Sequence, residues 1–342
     1  MSLRKIRFVE GDLVQVEAYP IFEVKGVTHP PDRVVAFPRF VPDLSGDRKL
    51  GKTTYKKVYP ISERYRLLEK RFPQYLVFDP IFGERLSEVP KEDIRVHYDP
   101  VTRLQELRES SRLGDLESAA LHFSELLHKN GGVSWSKLGI SGSLLAKLPT
   151  PRSDIDVIVY GKANCQKAYD ALESAMKNGE AGVRAYTLKE LRVLYDFRSQ
   201  DTRMPFSSFV RSECRKVLQG KFLQYDYFIR CIVDWNEVGE EYGDNVYRKA
   251  GYAKIRGTVS DDSEAIFTPC RYLVEDVHVL SGDGASAVTE VASFRGRFCE
   301  QAQNGESVVA QGKVEKVQRK NGKVFFRLLL GGKPSDYLIP EG

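Results

Sequence analysis

The chain has 342 residues, 42% of them hydrophobic and 29% charged, and its formal net charge is +5. This length and composition predict a soluble globular protein of two or three domains. Its five cysteines are dispersed without a CxxC pair, which argues against a disulfide framework and is typical of free thiols in a reducing compartment. Since no secretory signal and no 18-residue apolar span is visible, we expect a cytoplasmic protein with no membrane partner.

Residues 1–100 are predicted to form a β-rich N-terminal domain. Short apolar runs bounded by Pro and Gly indicate strands, and Pro38 and Pro42 are expected to end the third of them. A helix is predicted over 62–71. The predicted strands lie at 13–16, 21–24 and 33–37.

The segment from Gly46 to Thr53 satisfies the phosphate-loop pattern G-x-x-x-x-G-K-[ST]. A functional phosphate loop follows a buried strand and opens a helix, whereas residues 54–60 read as extended, so we expect no such loop here. The same segment interleaves basic and aromatic residues. It predicts either a surface that binds a nucleic-acid backbone or a solvated edge strand.

Residues 101–240 are predicted to form a central domain, in which helices alternate with buried strands. Thr187 and Glu190 form a capping-box pair before one of the helices, and Gly220 is expected to end another. The predicted helices cover 115–129, 164–178, a segment after Thr187, and 206–217, and the predicted strands cover 133–140, 154–160 and 222–233.

Residues 245–342 are predicted to form a small all-β, barrel-like domain. Asn321-Gly322 between two apolar runs is a strong hairpin signal. Short strands with frequent turns are typical of a small barrel. An OB-like barrel would fit a nucleic-acid partner, although this step rests on analogy of fold.

The most informative motif combines Gly142-Ser143 with Asp154 and Asp156, which are one residue apart in an apolar run. Alternate side chains of a strand point the same way, so the two carboxylates are expected to share one face. Adjacent carboxylates repel each other unless a cation lies between them, and Mg²⁺ suits such oxygen ligands. The turn at Gly142 would open a short helix whose free N–H groups can hold phosphate.

Gly142, Ser143, Asp154 and Asp156 together resemble the motif of the DNA polymerase beta-like nucleotidyltransferase superfamily, over about residues 115–235. The β-rich front and barrel tail also look like the layout of uncharacterised archaeal predicted nucleotidyltransferases. The resemblance implies an α+β fold with a central nucleotidyltransferase-type mixed sheet.

The resemblance further implies a two-metal mechanism with a nucleoside triphosphate as substrate. Asp154 and Asp156 would hold Mg²⁺ or Mn²⁺, and Gly142 and Ser143 would bind the phosphates of the nucleoside triphosphate. A third carboxylate on a neighbouring strand is usual in the family. We favour Asp226, inside the predicted strand 222–233, over Asp234 at its end, because a charge inside a strand needs a reason such as a metal.

The sequence departs from the family directly after the Gly-Ser turn. Leu144 and Leu145 stand where many relatives carry a basic residue. Lys147 or Arg152 would then supply the missing phosphate contact. Arg211 and Arg215, one helical turn apart, either line the cleft and attract an anionic acceptor or form a solvated helix face.

The sequence therefore predicts a metal-dependent nucleotidyltransferase that moves a nucleoside monophosphate to an acceptor hydroxyl of RNA, protein or a small molecule. The alternative is a non-catalytic nucleic-acid-binding protein built on a nucleotidyltransferase scaffold. The position of the third carboxylate distinguishes the two. If Asp226 and Asp234 both pointed away from Asp154 and Asp156, the enzyme hypothesis would lose most of its support.

Overall fold

The computed structural model describes residues 7–179, 182–285 and 287–341. Within these ranges the chain is an α+β protein whose strands form three sheets, which lie one after another along the sequence. The strands are β1 (Leu13–Val16), β2 (Ile21–Val24), β3 (Arg33–Pro42), β4 (Arg48–Leu50), β5 (Thr53–Lys57), β6 (Leu76–Asp79), β7 (Glu84–Pro90), β8 (Ile94–Tyr98), β9 (Leu138–Ile140), β10 (Ile155–Tyr160), β11 (Val183–Arg184), β12 (Gln219–Phe222), β13 (Tyr225–Ile232), β14 (Asn245–Asp261), β15 (Cys270–Gly282), β16 (Val288–Ser293), β17 (Ser307–Arg319), β18 (Val324–Leu330) and β19 (Tyr337–Glu341). The α-helices are α1 (Ile61–Arg71), α2 (Pro100–Glu109), α3 (Asp115–Lys129), α4 (Gly142–Leu145), α5 (Lys162–Asn178), α6 (Leu188–Arg198) and α7 (Phe206–Glu213).

The N-terminal sheet has the strand order β4-β5-β3-β2-β1-β8, and β6 and β7 join it through β3. The third strand continues past the predicted bound at 37 and through Pro38, and it ends at Pro42, the second of the two prolines expected to end it. Pro38 pairs with Phe22 at a register shift after Ile21, and such an irregularity accommodates a residue that has no N–H to donate. As expected, residues 46–53 do not open a helix; they lie in and around the β4–β5 hairpin.

The central sheet has the order β11-β12-β13-β10-β9, with β10 and β13 parallel. Apolar residues of α3 and α5 pack with Ile155, Val157 and Val159 in one core. On the opposite face, Arg230 of β13 forms an ion pair with Glu10 of the N-terminal part, and Phe228 of β13 lies against Gly296 of the barrel.

Several predicted bounds in the central part are wrong. The strand predicted over 222–233 begins later, as β13 at Tyr225, because Leu223 turns the chain with a φ of +54° and Phe222 ends β12, the other strand of a hairpin. Gly220 lies in β12 rather than ending α7. The strand predicted over 133–140 is reduced to β9, because 135–137 form a 3₁₀ turn. Helix α5 begins at Lys162, before Asn164.

The C-terminal sheet is a barrel, in which the order β14-β15-β16-β18-β17 is closed by pairing of β17 with β14. Its β16–β18 pair is parallel, and β19 extends it beside β17. The hairpin predicted around Asn321-Gly322 is confirmed as the β17–β18 connection. Among the described residues, no helix is both long and apolar enough to cross a membrane.

Buried polar contacts join the barrel to the central part. The Lys216 ammonium donates to Glu213 at 2.8 Å and to the Gln301 side chain of the barrel at 3.0 Å. Glu300 of the barrel accepts the N–H groups of Val217 and Leu218 at 2.7 and 3.0 Å. These contacts fix the barrel against the central sheet and so define the space between them.

Arg211 and Arg215 belong to this joint. Arg215 donates to both Glu306 oxygens, and Arg211 donates to the carbonyl of Pro340 at 3.3 Å. Neither lines the cavity described below. Arg211 is exposed, as the solvated-face alternative expects. Arg215 corresponds to neither alternative, because it is paired with Glu306 of the barrel.

Candidate functional site

A cavity of about 1580 Å³ lies where the three parts meet. Its wall includes 17 Lys and Arg residues but only 11 Asp and Glu residues. The wall is therefore net positive, which favours anionic ligands. Its volume exceeds the roughly 300–1,000 Å³ that is usual for one small ligand, so it has room for more than one.

Asp154 and Asp156 line this cavity at the start of β10. Ile155 and Val157, which alternate with them, are fully buried on the opposite face. Burial and the neighbouring charge of Asp154 raise the pKa of Asp156 to about 7, although Lys57 and Arg230 counteract them. The pair is thus a site where negative charge is incompletely balanced.

Gly142 lies directly against Asp156. The Ser141 N–H donates to the Asp156 carbonyl at 2.9 Å, and Gly142 follows with a φ of +62°. A Cβ atom at Gly142 would overlap Asp156 Oδ2. Ser143 is 1% exposed, and its hydroxyl is buried with no hydrogen-bond partner in the described ranges. Ser143 is not among the residues that line the cavity.

Asp226 lies on the same face as Asp156. Strand β13 runs parallel to β10 with Phe228 opposite Asp156, so Asp226 is displaced by two residues toward Asp154. Its side chain is half exposed and lines the cavity. Lys221 Nζ lies 3.0 Å from Asp226 Oδ1, so this carboxylate is already paired.

Asp234 has a different environment. It accepts the Trp235 N–H at 2.8 Å as the cap of a 3₁₀ turn, and it forms an ion pair with Lys137. The Lys137 ammonium helps hold the pKa of Asp234 below its ordinary value, against the effect of burial. Asp234 lies outside the cavity wall, so of the two candidates only Asp226 is near the Asp154–Asp156 pair.

The fit to a divalent cation is uneven. Two carboxylates that line the cavity on one face are oxygen donors of the kind that such an ion requires. Across the described parts of the chain, however, no group of three or more His, Cys, Asp and Glu side chains converges as a metal site. Asp226 would have to leave Lys221 to join the pair.

Lys147 and Arg152, the predicted phosphate contacts, lie apart. Lys147 Nζ is 3.0 Å from Glu106 Oε2 and is outside the cavity wall, whereas Arg152 is exposed and lines the cavity. Only Arg152 is in a position to reach a ligand in the cavity.

The structure adds two cations that the sequence reasoning did not assign to the site. Lys57 lines the cavity, and its pKa is lowered by burial and by Arg39, while Asp154 and Asp156 act in the opposite direction. Arg230 lies two residues beyond Phe228 on β13 and pairs with Glu10 of the N-terminal part. Lys57 belongs to the basic and aromatic segment noted in the sequence, and alternation from Asp226 could have indicated Arg230.

The chain is similar to an uncharacterised protein of Methanocaldococcus jannaschii, MJ1086, with 30% identity over 329 residues that cover 94% of each chain. It therefore belongs to the same family as this archaeal protein. No protein-family model matches the chain. No solved structure matches it either.

Proposed function

We propose that the protein is a nucleotidyltransferase that moves a nucleoside monophosphate from a nucleoside triphosphate to an acceptor hydroxyl. The position of Asp154 and Asp156 on the cavity wall, with the Gly142 turn directly against Asp156, carries the proposal. The cationic wall supports it, because triphosphates and nucleic acids are polyanions.

Asp154 and Asp156 are the residues that would hold Mg²⁺ or Mn²⁺, with Asp226 as the third carboxylate. A divalent cation bound there would stabilise negative charge on phosphate oxygens. Arg152, Arg230 and Lys57 would hold and orient phosphate groups from the surrounding wall.

RNA is the acceptor that we favour over a protein or a small molecule. The cavity is larger than one nucleotide needs, and its wall is cationic and contains aromatic side chains such as Phe228 and Tyr247. The closed five-stranded barrel resembles OB-folds, which bind oligonucleotides. That step is an analogy of fold.

A second candidate, a nucleic-acid-binding protein without turnover, is favoured by one observation. The Lys221–Asp226 ion pair engages the carboxylate that a two-metal site needs. Binding through the cationic wall would not depend on freeing Asp226.

The test is incubation with each labelled nucleoside triphosphate, Mg²⁺ or Mn²⁺, and a panel of RNAs. We expect label transfer by the wild type, its loss in Asp156→Asn, and its retention in Asp170→Asn, which alters an exposed carboxylate on α5. Transfer that survives Asp156→Asn would contradict the mechanism. RNA binding without transfer to any acceptor would favour the second candidate.

A further inference from the structure

A group of arginines, which we call the arginine cluster, surrounds Tyr59 where the three parts meet. Arg297 Nη2 lies 3.3 Å from the Tyr59 hydroxyl, and the Arg39 guanidinium lies 5.3 Å from the centre of its ring. The ring of Phe197 packs on Tyr59 at 4.8 Å. The arginine cluster consists of Arg39 and Arg64 from the N-terminal part, Arg198 from the central part, and Arg295 and Arg297 from the barrel, all of which line the cavity.

The arginine cluster has more positive charge than its partners balance. Glu23 is shared by Lys25, Arg39, Arg64 and Arg230, at 3.1 to 3.8 Å. The other carboxylates are shared in the same way. Asp201 pairs with Arg295 and Arg297, Glu213 pairs with Arg198 and Lys216, and Glu10 pairs with Lys25 and Arg230. Four carboxylates thus serve eight cations, which are the five arginines of the cluster together with Lys25, Lys216 and Arg230.

The directions in which the pKa values of Tyr59 and Arg64 are displaced agree with this excess of positive charge. Burial raises the pKa of Tyr59, but the guanidinium groups around it, Arg297 first, bring it below its ordinary value. Burial and the neighbouring Arg39 lower the pKa of Arg64 to about 10. The Nε of Arg64 is also buried without a hydrogen-bond partner in the described ranges. An anion bound here would relieve the repulsion and satisfy that donor.

We propose that the arginine cluster and Tyr59 bind a terminal phosphate group of a substrate. Guanidinium groups match phosphate oxygens with paired donors, and a terminal phosphate carries nearly two negative charges at neutral pH. The side chains of Arg64 and Arg297 are only 8% and 7% exposed. A phosphate inside a nucleic-acid strand has a nucleotide on each side, and both would have to fit past these buried arginines. A terminal phosphate has a nucleotide on one side only.

Two sources can supply this chemistry, and their assignment rests on the proposed function. One is the last phosphate of the nucleoside triphosphate, and the other is a 5′-phosphate on the RNA acceptor. A purely structural network that joins the three parts is the competing explanation, and it predicts effects on stability without effects on phosphate binding.

The test compares the affinities of wild type and Arg39→Gln by calorimetry. Arg39 suits the test because its ion pair, with Glu23 at 3.8 Å, is long. The probes are each nucleoside triphosphate against its nucleoside, and a 5′-phosphorylated oligoribonucleotide against its 5′-hydroxyl form. Each calorimetric titration contains only one substrate, so the measured affinity does not depend on nucleotidyl transfer. Failure of the transfer assay would therefore overturn the proposed function and leave the measured phosphate affinities unaffected.

We expect Arg39→Gln to weaken one phosphorylated probe about ten- to a hundredfold and to leave its phosphate-free counterpart unchanged. The probe that is affected identifies the source. Arg256→Gln, which removes an exposed arginine on the barrel, should change the affinity neither for the phosphorylated probe nor for its counterpart. Tyr59→Phe, which keeps the ring packing, should weaken binding of the same probe about two- to tenfold. If the melting temperature shows that Arg39→Gln is unfolded, the affinity of Tyr59→Phe is the test of the proposal. Equal affinity of wild type and variants for every phosphorylated probe would overturn the proposal, as would a wild type that binds no phosphorylated probe better than its counterpart.

Discussion

The Cα atom of Gly142 lies against the carboxylate of Asp156, so closely that a Cβ atom there would overlap Oδ2. Two features of the chain that are 14 residues apart in sequence are thereby in contact: the turn after β9 and the acidic start of β10. The orientation of the Asp156 side chain depends on the absence of a side chain at Gly142.

Gly142→Ala should therefore damage the site as well as the fold. The left-handed backbone costs an alanine about 1 kcal/mol, and displacing the carboxylate adds to this, for a total on the order of 2–3 kcal/mol. Gly51→Ala is the matched control, because Gly51 has a similar φ of +58° and no described atom lies within 4 Å of its Cβ position. Urea unfolding measures the loss in the free energy of unfolding for Gly142→Ala and for Gly51→Ala. Equal losses in the two variants would show that the contact with Asp156 has no separate effect.

The two candidate third carboxylates should behave differently on substitution. Asp226→Asn removes a carboxylate from the face that carries Asp156, so nucleotidyl transfer should fall by at least about tenfold. Asp234→Asn keeps a capping side chain and removes only the charge that pairs with Lys137, outside the cavity, so it should change transfer by less than about threefold and lower stability by less than about 1 kcal/mol. Initial rates with labelled nucleotide decide this, and the reverse order of effects would assign the role to Asp234.

Divalent metal should stabilise the folded chain. At about 100 times the dissociation constant, Mg²⁺ or Mn²⁺ should add about 2.7 kcal/mol to the free energy of unfolding, and EDTA should remove it. Scanning calorimetry with and without metal measures the effect. Asp156→Asn should abolish it and Asp170→Asn should preserve it. A metal-dependent shift that is unchanged in Asp156→Asn would place the ion elsewhere.

Local patterns explain what the sequence predicts well. The alternation around Asp156 indicates both the strand β10 and which face is buried, because period-two patterning is a local property of the chain. The capping-box pair before α6 is likewise local. The turn between β12 and β13 was missed because Leu223-Gln224 carries none of the residues that favour a left-handed turn.

The surroundings of the carboxylates were beyond local reasoning. Lys57 lies far from Asp156 in sequence and comes near it only because the N-terminal sheet docks on the central one. Arg230 is also distant in sequence, and the parallel pairing of β13 with β10 brings it to the same face. The arginine cluster requires the barrel as well, since Arg297 comes from it. The composition shows a mildly basic chain. The concentration of positive charge around one cavity, however, is a property of the tertiary structure.

Stability should depend on pH through Glu88 of β7, which is 3% exposed. Burial and the adjacent Asp79 raise the pKa of Glu88 from 4.5 to about 8. The folded state therefore holds a proton that the unfolded state releases at lower pH, so stability falls as the pH rises from about 4.5 to about 8. Glu88→Gln cannot lose that proton, and its stability relative to wild type should increase with pH, by on the order of 2 kcal/mol at pH 9.

Urea unfolding of wild type and Glu88→Gln at pH 5 and pH 9 measures this dependence. Glu92→Gln is the control, because Glu92 is exposed and shows no comparable burial. A constant difference between Glu88→Gln and wild type across the pH range would show that Glu88 is ionised throughout.

Docking of the barrel should depend on Glu213, which is buried between two cations. Its carboxylate accepts from Arg198 at 2.7 Å and from Lys216 at 2.8 Å. Glu213→Gln would leave both cations without this carboxylate in a buried setting, so the free energy of unfolding should fall by about 3–5 kcal/mol. Glu173→Gln, which breaks an exposed pair with Lys177, should cost less than about 1 kcal/mol. Urea titration compares the two variants, and similar small losses would mean that water reaches Arg198 and Lys216 once the carboxylate is gone.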